Sequence, residues 1–469
     1  MITRRFVLVG LVLAASTAVL LARSGRAPYR LGDAPQDRVG IVISGAPAGQ
    51  LKLAVQDFLL GSPDPDLATA MKTAANVLWD DLDFEHEYYM IPRATTSVIA
   101  IAEYNALPMD RWQAVGADYV LVGSAMRSGS DVSIDLRMMP VRGGTVGQPA
   151  FSKRYPNCRI QDPRYCAHAI ADDFHKDTRN LDGVARTKLA FVSDRDSSNM
   201  TGRPMLNPGS GKEVYISDYD GANQLRFTSD RSLATSPNWA PPNGAQLSYT
   251  SWKSGFPDIY IANLAQPGRG LRRPAGGTDL VKNYVAVWSP DGTKLAVTQA
   301  RNGNSDVWIM NADGSDAHNL TANSAKDDLA PTFSPDGTQI AFISDRTGTP
   351  LLYVMNTLGG DVQRLTDVKS DRPTWSTLKF IAFTLEQGSG HDIAVYDWNS
   401  TASNKVSVLT DGNGSNENPA VAPNGRHIAF VTTRWGKQQI AIIGRDGKNY
   451  KRVTEVGNNT YPNWQPNGR

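Results

Sequence analysis

Ala286-Val-Trp288-Ser-Pro-Asp-Gly292 and Pro331-Thr-Phe333-Ser-Pro-Asp-Gly337 are the two clearest copies of one repeat, and the repeat decides the fold. Looser copies stand at Pro237-Asn-Trp239, Pro373-Thr-Trp375, Pro419-Ala-Val421-Ala-Pro-Asn-Gly425 and Pro462-Asn-Trp464-Gln-Pro-Asn-Gly468. Their third positions fall 49, 45, 42, 46 and 43 residues apart. That period belongs to four-stranded propeller blades. Pro-Asp-Gly is a strong turn, because Pro fixes φ, Asp caps locally and Gly accepts φ > 0. Each turn leads into an alternating strand, as in Lys294-Leu-Ala-Val, Gln339-Ile-Ala-Phe and His427-Ile-Ala-Phe. A third strand follows (Asp306-Val-Trp-Ile-Met, Leu351-Leu-Tyr-Val-Met), then a second turn and an outer strand that often ends in Leu-Thr. Such strands cannot bury both faces alone, so the blades must stack.

Six inner strands and six second strands can be counted, the first second strand being Lys188-Leu-Ala-Phe191 and the last inner one Tyr461-Pro-Asn-Trp464. The simplest assembly puts the Trp464 strand inside the blade formed by residues 188–230, which removes an exposed edge. The predicted propeller spans 185–469.

Residues 28–180 lack this period and predict a compact α/β domain of mixed sheet. Arg38–Gly45 and Leu51–Phe58 read as strands, and Asp64–Leu82 carries helical spacing with Ala70, Met71, Ala74, Ala75 and Leu78 inward. A further helix is expected around Ser97–Asn105, a strand from Asp131 to Met139, and a helix over Arg164–Asp177. Ahead of these, Arg4 and Arg5 precede the uncharged run Phe6–Ala22, and small residues follow. Residues 1–27 thus have the layout of a secretory signal peptide, with Ala22-Arg-Ser24 as an A-x-S cleavage pattern. An uncleaved anchor is the alternative, and Sec and twin-arginine routes are both open. Cleavage would take the formal charge from +2 to −1. No basic stripe points to nucleic acid.

The two cysteines, Cys158 and Cys166, lie eight positions apart. A local disulfide suits an oxidising compartment, with two free thiols as the alternative. The spacing to His168 and His175 fits no standard zinc pattern, so no metal is expected. There is no Gly-x-Ser-x-Gly elbow, and Gly209-Ser-Gly-Lys212 lacks the first Gly of a phosphate loop and has Glu213 next. A prolyl oligopeptidase-like enzyme would also need a few hundred residues beyond Arg469. Neither an enzyme nor a cofactor is expected.

The chain resembles the TolB family in the order export signal, α/β domain, six-bladed propeller of Trp-Ser-Pro-Asp-Gly repeats. A more specific likeness is Trp112-Gln-Ala-Val-Gly-Ala-Asp-Tyr-Val-Leu-Val-Gly123, a Trp-led helix end running through Gly-Ala-Asp into a valine-rich strand. Ile41-Val-Ile-Ser-Gly45 and Lys52–Phe58 also resemble the family's opening strands. Gly61–Asp66, the Cys158–Cys166 region and residues 197–211 depart from it. The resemblance implies a periplasmic, monomeric member of the Tol–Pal system, serving outer-membrane integrity, protein transport and cell division. It implies that a TolA-type inner-membrane protein binds the N-terminal segment (Val39, Ile41, Val42, Ile43, Ser44, Gly45). It further implies a Pal-type lipoprotein at the propeller. The loops entering the inner strands lie nearest the axis, so the expected Pal ring is Thr235, Asn283, Tyr284, Asp328, Leu329, Asp371, Arg372, Asn416, Glu417, Asn459 and Thr460. Asp328, Asp371 and Glu417 make that ring acidic apart from Arg372, which would steer in a basic partner. A propeller that senses a small ligand in its central channel is the alternative function.

Overall fold

Strand pairing in the computed structural model separates a seven-stranded mixed sheet from six smaller antiparallel sheets, one per propeller blade. The structure describes residues 50–143, 147–196, 211–266 and 271–467, together with the backbone of Val39 and Gly40. The signal-peptide reading, Ile41–Gly45 and most of the 197–211 insertion lie outside the described residues.

The mixed sheet is built from β1 (Val39–Gly40), β2 (Lys52–Val55), β3 (Leu59–Leu60), β4 (Tyr89–Met90), β5 (Tyr119–Ser128), β6 (Asp131–Pro140) and β7 (Phe151–Arg159). Its order is β1-β7-β6-β5-β2-β4, with β3 beside β5, so β1 sits at one edge, pairing Val39 with Ser152. Two long helices are central to the domain. Helix α1 (Pro65–Glu85) is capped by Asp64, whose carboxylate accepts from the Asp66 and Leu67 amides, with Pro65 preset for the first turn. Its inner face buries Ala70, Met71, Ala74, Ala75 and Leu78, as the helical spacing predicts.

Two short helices follow, α2 (Arg93–Thr96) and α3 (Met109–Ala114), and then the long α4 (Pro163–Arg179). The helix expected around Ser97–Asn105 does not form. Helix α2 ends at Thr96, and the Gln56 amide takes the carbonyls of Thr96 and Ile99 at 3.1 and 2.8 Å. Those bonds satisfy backbone groups that a longer helix would have used, while Ile99 is buried and Ile101 packs beside it around Trp112. Cys158 on β7 and Cys166 on α4 are joined by a disulfide.

Each blade is a short meander. In blade one, Lys188–Ser193 pairs outward with Glu213–Asp218 and inward with Asn459–Trp464, the last strand of the chain. This pairing closes the ring. The Asn463 side chain and carbonyl accept from the Trp239 amide and indole at 3.0 and 3.2 Å, tying blade one to blade two. The Trp464 indole donates to Thr187 at 2.6 Å inside the joint.

The Leu-Thr signature has a physical cause. The Thr lies just past the outer strand, and its hydroxyl accepts a backbone N–H from the third strand. Thr228, Thr321, Thr366, Thr410 and Thr454 accept from Val214, Val307, Leu352, Ile393 and Ile440 at 2.8–3.1 Å. Each pins the end of a short outer strand whose ladder is only two or three residues long. Turn glycines answer a different need. Gly314 has φ +91°, and a Cβ there would lie 2.0 Å from the Pro274 carbonyl oxygen.

Candidate binding surfaces

The residues where the α/β domain meets the propeller fix which face of the propeller is free. Arg426 and Asn424, in the turn after the inner strand of blade six, reach Glu85 of α1 (2.5 Å) and the Asp182 carbonyl (3.3 Å). Tyr219, in the outer turn of blade one, donates to Asp81 of α1 at 2.6 Å. Lys451 of blade six lies 4.9 Å from the Phe84 ring, which stacks on His427 at 4.3 Å. These contacts belong to turns at one end of the strands. The loops that lead into the inner strands open at the other end, so the channel mouth faces away from the α/β domain.

The junction itself is a buried ionic cluster that sequence reading did not anticipate. Burial works against the Glu85 carboxylate, but the hydrogen bond and charge of His427, with Arg426, hold its pKa well below the carboxylate range. Burial alone would lower His168; the Asp81 carboxylate, 2.7 Å from Nδ1, outweighs it and raises the pKa. His175 is fully buried and is pushed down to about 4, chiefly by desolvation. His168, Asp218 and Asp220 place ligand-type atoms within 4.8 Å of one another. Both carboxylates already have cationic partners: Lys188 bonds Asp218 at 2.8 Å and Arg164 bonds Asp220. The group therefore reads as part of the ion-pair network.

At the mouth, the structure divides the eleven predicted ring residues. Asn283, Asp328, Asn416 and Asn459 are fully buried and lie inside the blades. Asn283 bonds Asp258 and Gln299, Asp328 accepts from Arg346, Asn416 donates to Asp392, and Asn459 accepts from Arg195. Thr460 is also buried. Asn283, Asp328, Asn416 and Asn459 thus bond neighbouring side chains within the propeller, and with Thr460 they are buried in the free protein, where the sequence leads one to expect an accessible ring. Thr235, Tyr284, Leu329, Asp371, Arg372 and Glu417 remain accessible on the rim.

Alternation along the strand explains the split, because neighbours point to opposite faces. Every inner strand also carries a bulge two or three residues in, between Thr235 and Asn238 for example, and between Asp371 and Thr374. At five of the six bulges a non-glycine residue is left-handed: Ser236, Ala330, Arg372, Asn418 and Tyr461, with φ of 49–54°. Each of the five precedes a proline; the blade with Val285-Ala286 has none, and there the residue is not left-handed. That repeated X-Pro column was the available signal for residues nearest the axis, and sequence reading found only Arg372 in it.

The rim charges are more mixed than the sequence suggests. His391 lies 3.5 Å from Glu417, and Lys369 bonds Glu386 at 2.9 Å. Asp328 is neutralised inside the blade by Arg346. Asp371 is exposed and pairs with no cation among the described residues. A cavity of about 400 Å3 opens between these groups, and a second of about 100 Å3, the neck, is lined by all six inner strands on the axis and shares Arg372, Asn418 and Tyr461 with the first. As for the N-terminal segment, only Val39 and Gly40 are described, as the short edge strand β1.

Residues 177–468 match the TolB beta propeller domain family. A Tol-Pal system protein TolB of Anaeromyxobacter sp. (strain K) is 31% identical over 71% of the chain and 68% of its own length. One of Desulfosudis oleivorans is 28% identical over 58% of the chain and 58% of its own length, so the chain spans under two thirds of that relative. The crystal structure of TolB from Acinetobacter baumannii covers 90% of the chain and 98% of its own, at 23% identity and a TM-score of 0.72. That likeness extends over the α/β domain as well as the propeller. With its family match, its relatives and its two-part architecture, the chain belongs to the TolB family.

Proposed function

We propose that this protein is a periplasmic binding component of a Tol–Pal system. It links a Pal-type lipoprotein at the propeller mouth to a TolA-type inner-membrane protein at the N-terminal segment, for outer-membrane integrity and envelope constriction. The observation that carries the reading is the placement of the mouth on the propeller face turned away from the α/β domain. A partner seated there lies on the face opposite the α/β domain, whose sheet carries β1 at its edge. The rim mixes an aromatic and an aliphatic anchor, Tyr284 and Leu329, with polar Thr235, Asp371 and Glu417. That composition suits a protein surface. The edge position of β1 suits strand addition, in which main-chain hydrogen bonds supply the affinity. On this reading the protein is a hub with no chemistry of its own.

The test is charge reversal at the rim, Asp371→Lys with Glu417→Lys, on folded protein. Capture of the Pal-type lipoprotein should weaken at least tenfold and lose salt sensitivity, because rim charges govern encounter. Binding of a TolA-type protein should persist. Undiminished lipoprotein capture would place that partner elsewhere.

A further inference from the structure

Where the mouth narrows to the neck, three of the left-handed bulge residues converge: Arg372, Asn418 and Tyr461 line both cavities. The rest of the neck is polar but uncharged or apolar, with prolines at 237, 331, 373, 419 and 462. Arg372 is its only charged side chain among the described residues.

The surroundings of this guanidinium leave it incompletely satisfied. It pairs with no carboxylate among the described residues. One amino group, Nη1, reaches the Ser236 hydroxyl at 3.3 Å, and the guanidinium lies 4.8 Å from the centre of the Tyr461 ring. Contact with the aromatic ring holds the cation in place without using its in-plane N–H donors. The Asn418 amide group and the Tyr461 hydroxyl make no hydrogen bond among the described residues. Nearby acids do not supply the missing partner: Glu417 faces His391, Glu386 faces Lys369, and among the described residues Asp371 meets only the backbone amide of Arg372.

We propose that the neck is an anion site that takes a carboxylate on Arg372, with Asn418 and Tyr461 as neighbouring hydrogen-bonding groups. A planar carboxylate matches the guanidinium fork in a two-point, charge-assisted contact. The neck is too small for a drug-sized molecule, so the carboxylate enters as a small group. Its source is an Asp or Glu side chain of a protein docked at the mouth, which rests on the function proposed above, or a free small carboxylic acid.

Two arms separate these sources. In the first, the full chain is titrated calorimetrically at low ionic strength with glutarate and, separately, with methylammonium. Glutarate should bind and methylammonium should not. Arg372→Asn, which keeps a residue tolerant of left-handed φ, should weaken glutarate at least tenfold; Arg372→Lys should weaken it less. In the second, lipoprotein capture is measured for Arg372→Asn against single Asp→Asn and Glu→Gln changes in the lipoprotein. An inserted side chain shows as one acid whose loss costs at least tenfold with Arg372 and nothing without it. Glutarate binding with no such acid assigns the site to a free carboxylate. The absence of both signals, or methylammonium binding in place of glutarate, overturns the proposal. Failure of the rim double reversal to reduce capture would remove the docking reading alone and leave the glutarate arm standing.

Discussion

His175→Phe should make the protein markedly less sensitive to acid, and the size of the effect follows from the burial of this one imidazole. His175 lies on α4 with both ring nitrogens buried and, among the described residues, without a hydrogen-bond partner. Glu85 of α1 favours its protonated form, but Arg426 and His427 of the propeller and Arg179 of its own helix oppose it. Desolvation is the largest effect, and the pKa falls from its ordinary 6.5 to about 4. Between those values the unfolded chain binds more protons here than the folded one, so stability falls as pH falls through this window. The full penalty, reached below the folded value, is about 3 kcal/mol at ~1.4 kcal/mol per pH unit. At pH 4.5 most of it, about 2–3 kcal/mol, is in force. Phe removes the titration and keeps a ring beside Tyr88 and Phe174. Glu85, with its depressed pKa, and His168, with its raised one, titrate in both proteins, and His427 and Arg426 still hold Glu85 down once His175 is replaced. Urea unfolding at pH 7.5 and pH 4.5 measures the loss for each. The variant should lose about 2–3 kcal/mol less than the parent; equal losses would show that His175 is not held neutral by burial.

Trp464→Ala removes the indole from the closing strand and its bond to Thr187, and should cost about 3–5 kcal/mol, read as a large fall in melting temperature. An unchanged melt would mean that ring closure does not depend on this joint. Replacing Cys158 and Cys166 by Ser opens a loop of eight positions. The loss should be about 2 kcal/mol, and the double variant should melt like the parent in excess dithiothreitol. If dithiothreitol leaves the parent unaffected, the link adds no stability.

The propeller was legible because its signals are local and repeated. A turn every 42–49 residues, an alternating strand after each turn and a trailing Leu-Thr all follow from backbone requirements that residues meet within one blade. The Ser97–Asn105 helix was misread for the opposite reason: Gln56, some forty positions away, caps the carbonyls there, and no periodicity in the segment records it. The ring at the mouth shows the same divide at finer scale. Its location could be inferred from blade topology, but its membership turns on a side-chain alternation interrupted by a bulge. One step along the strand separates Asp328, sealed against Arg346, from Leu329 on the rim. The left-handed residue before proline then carries Arg372 inward to the axis. Sequence shows the proline; only the register between strands shows that the residue before it is the one that faces the channel.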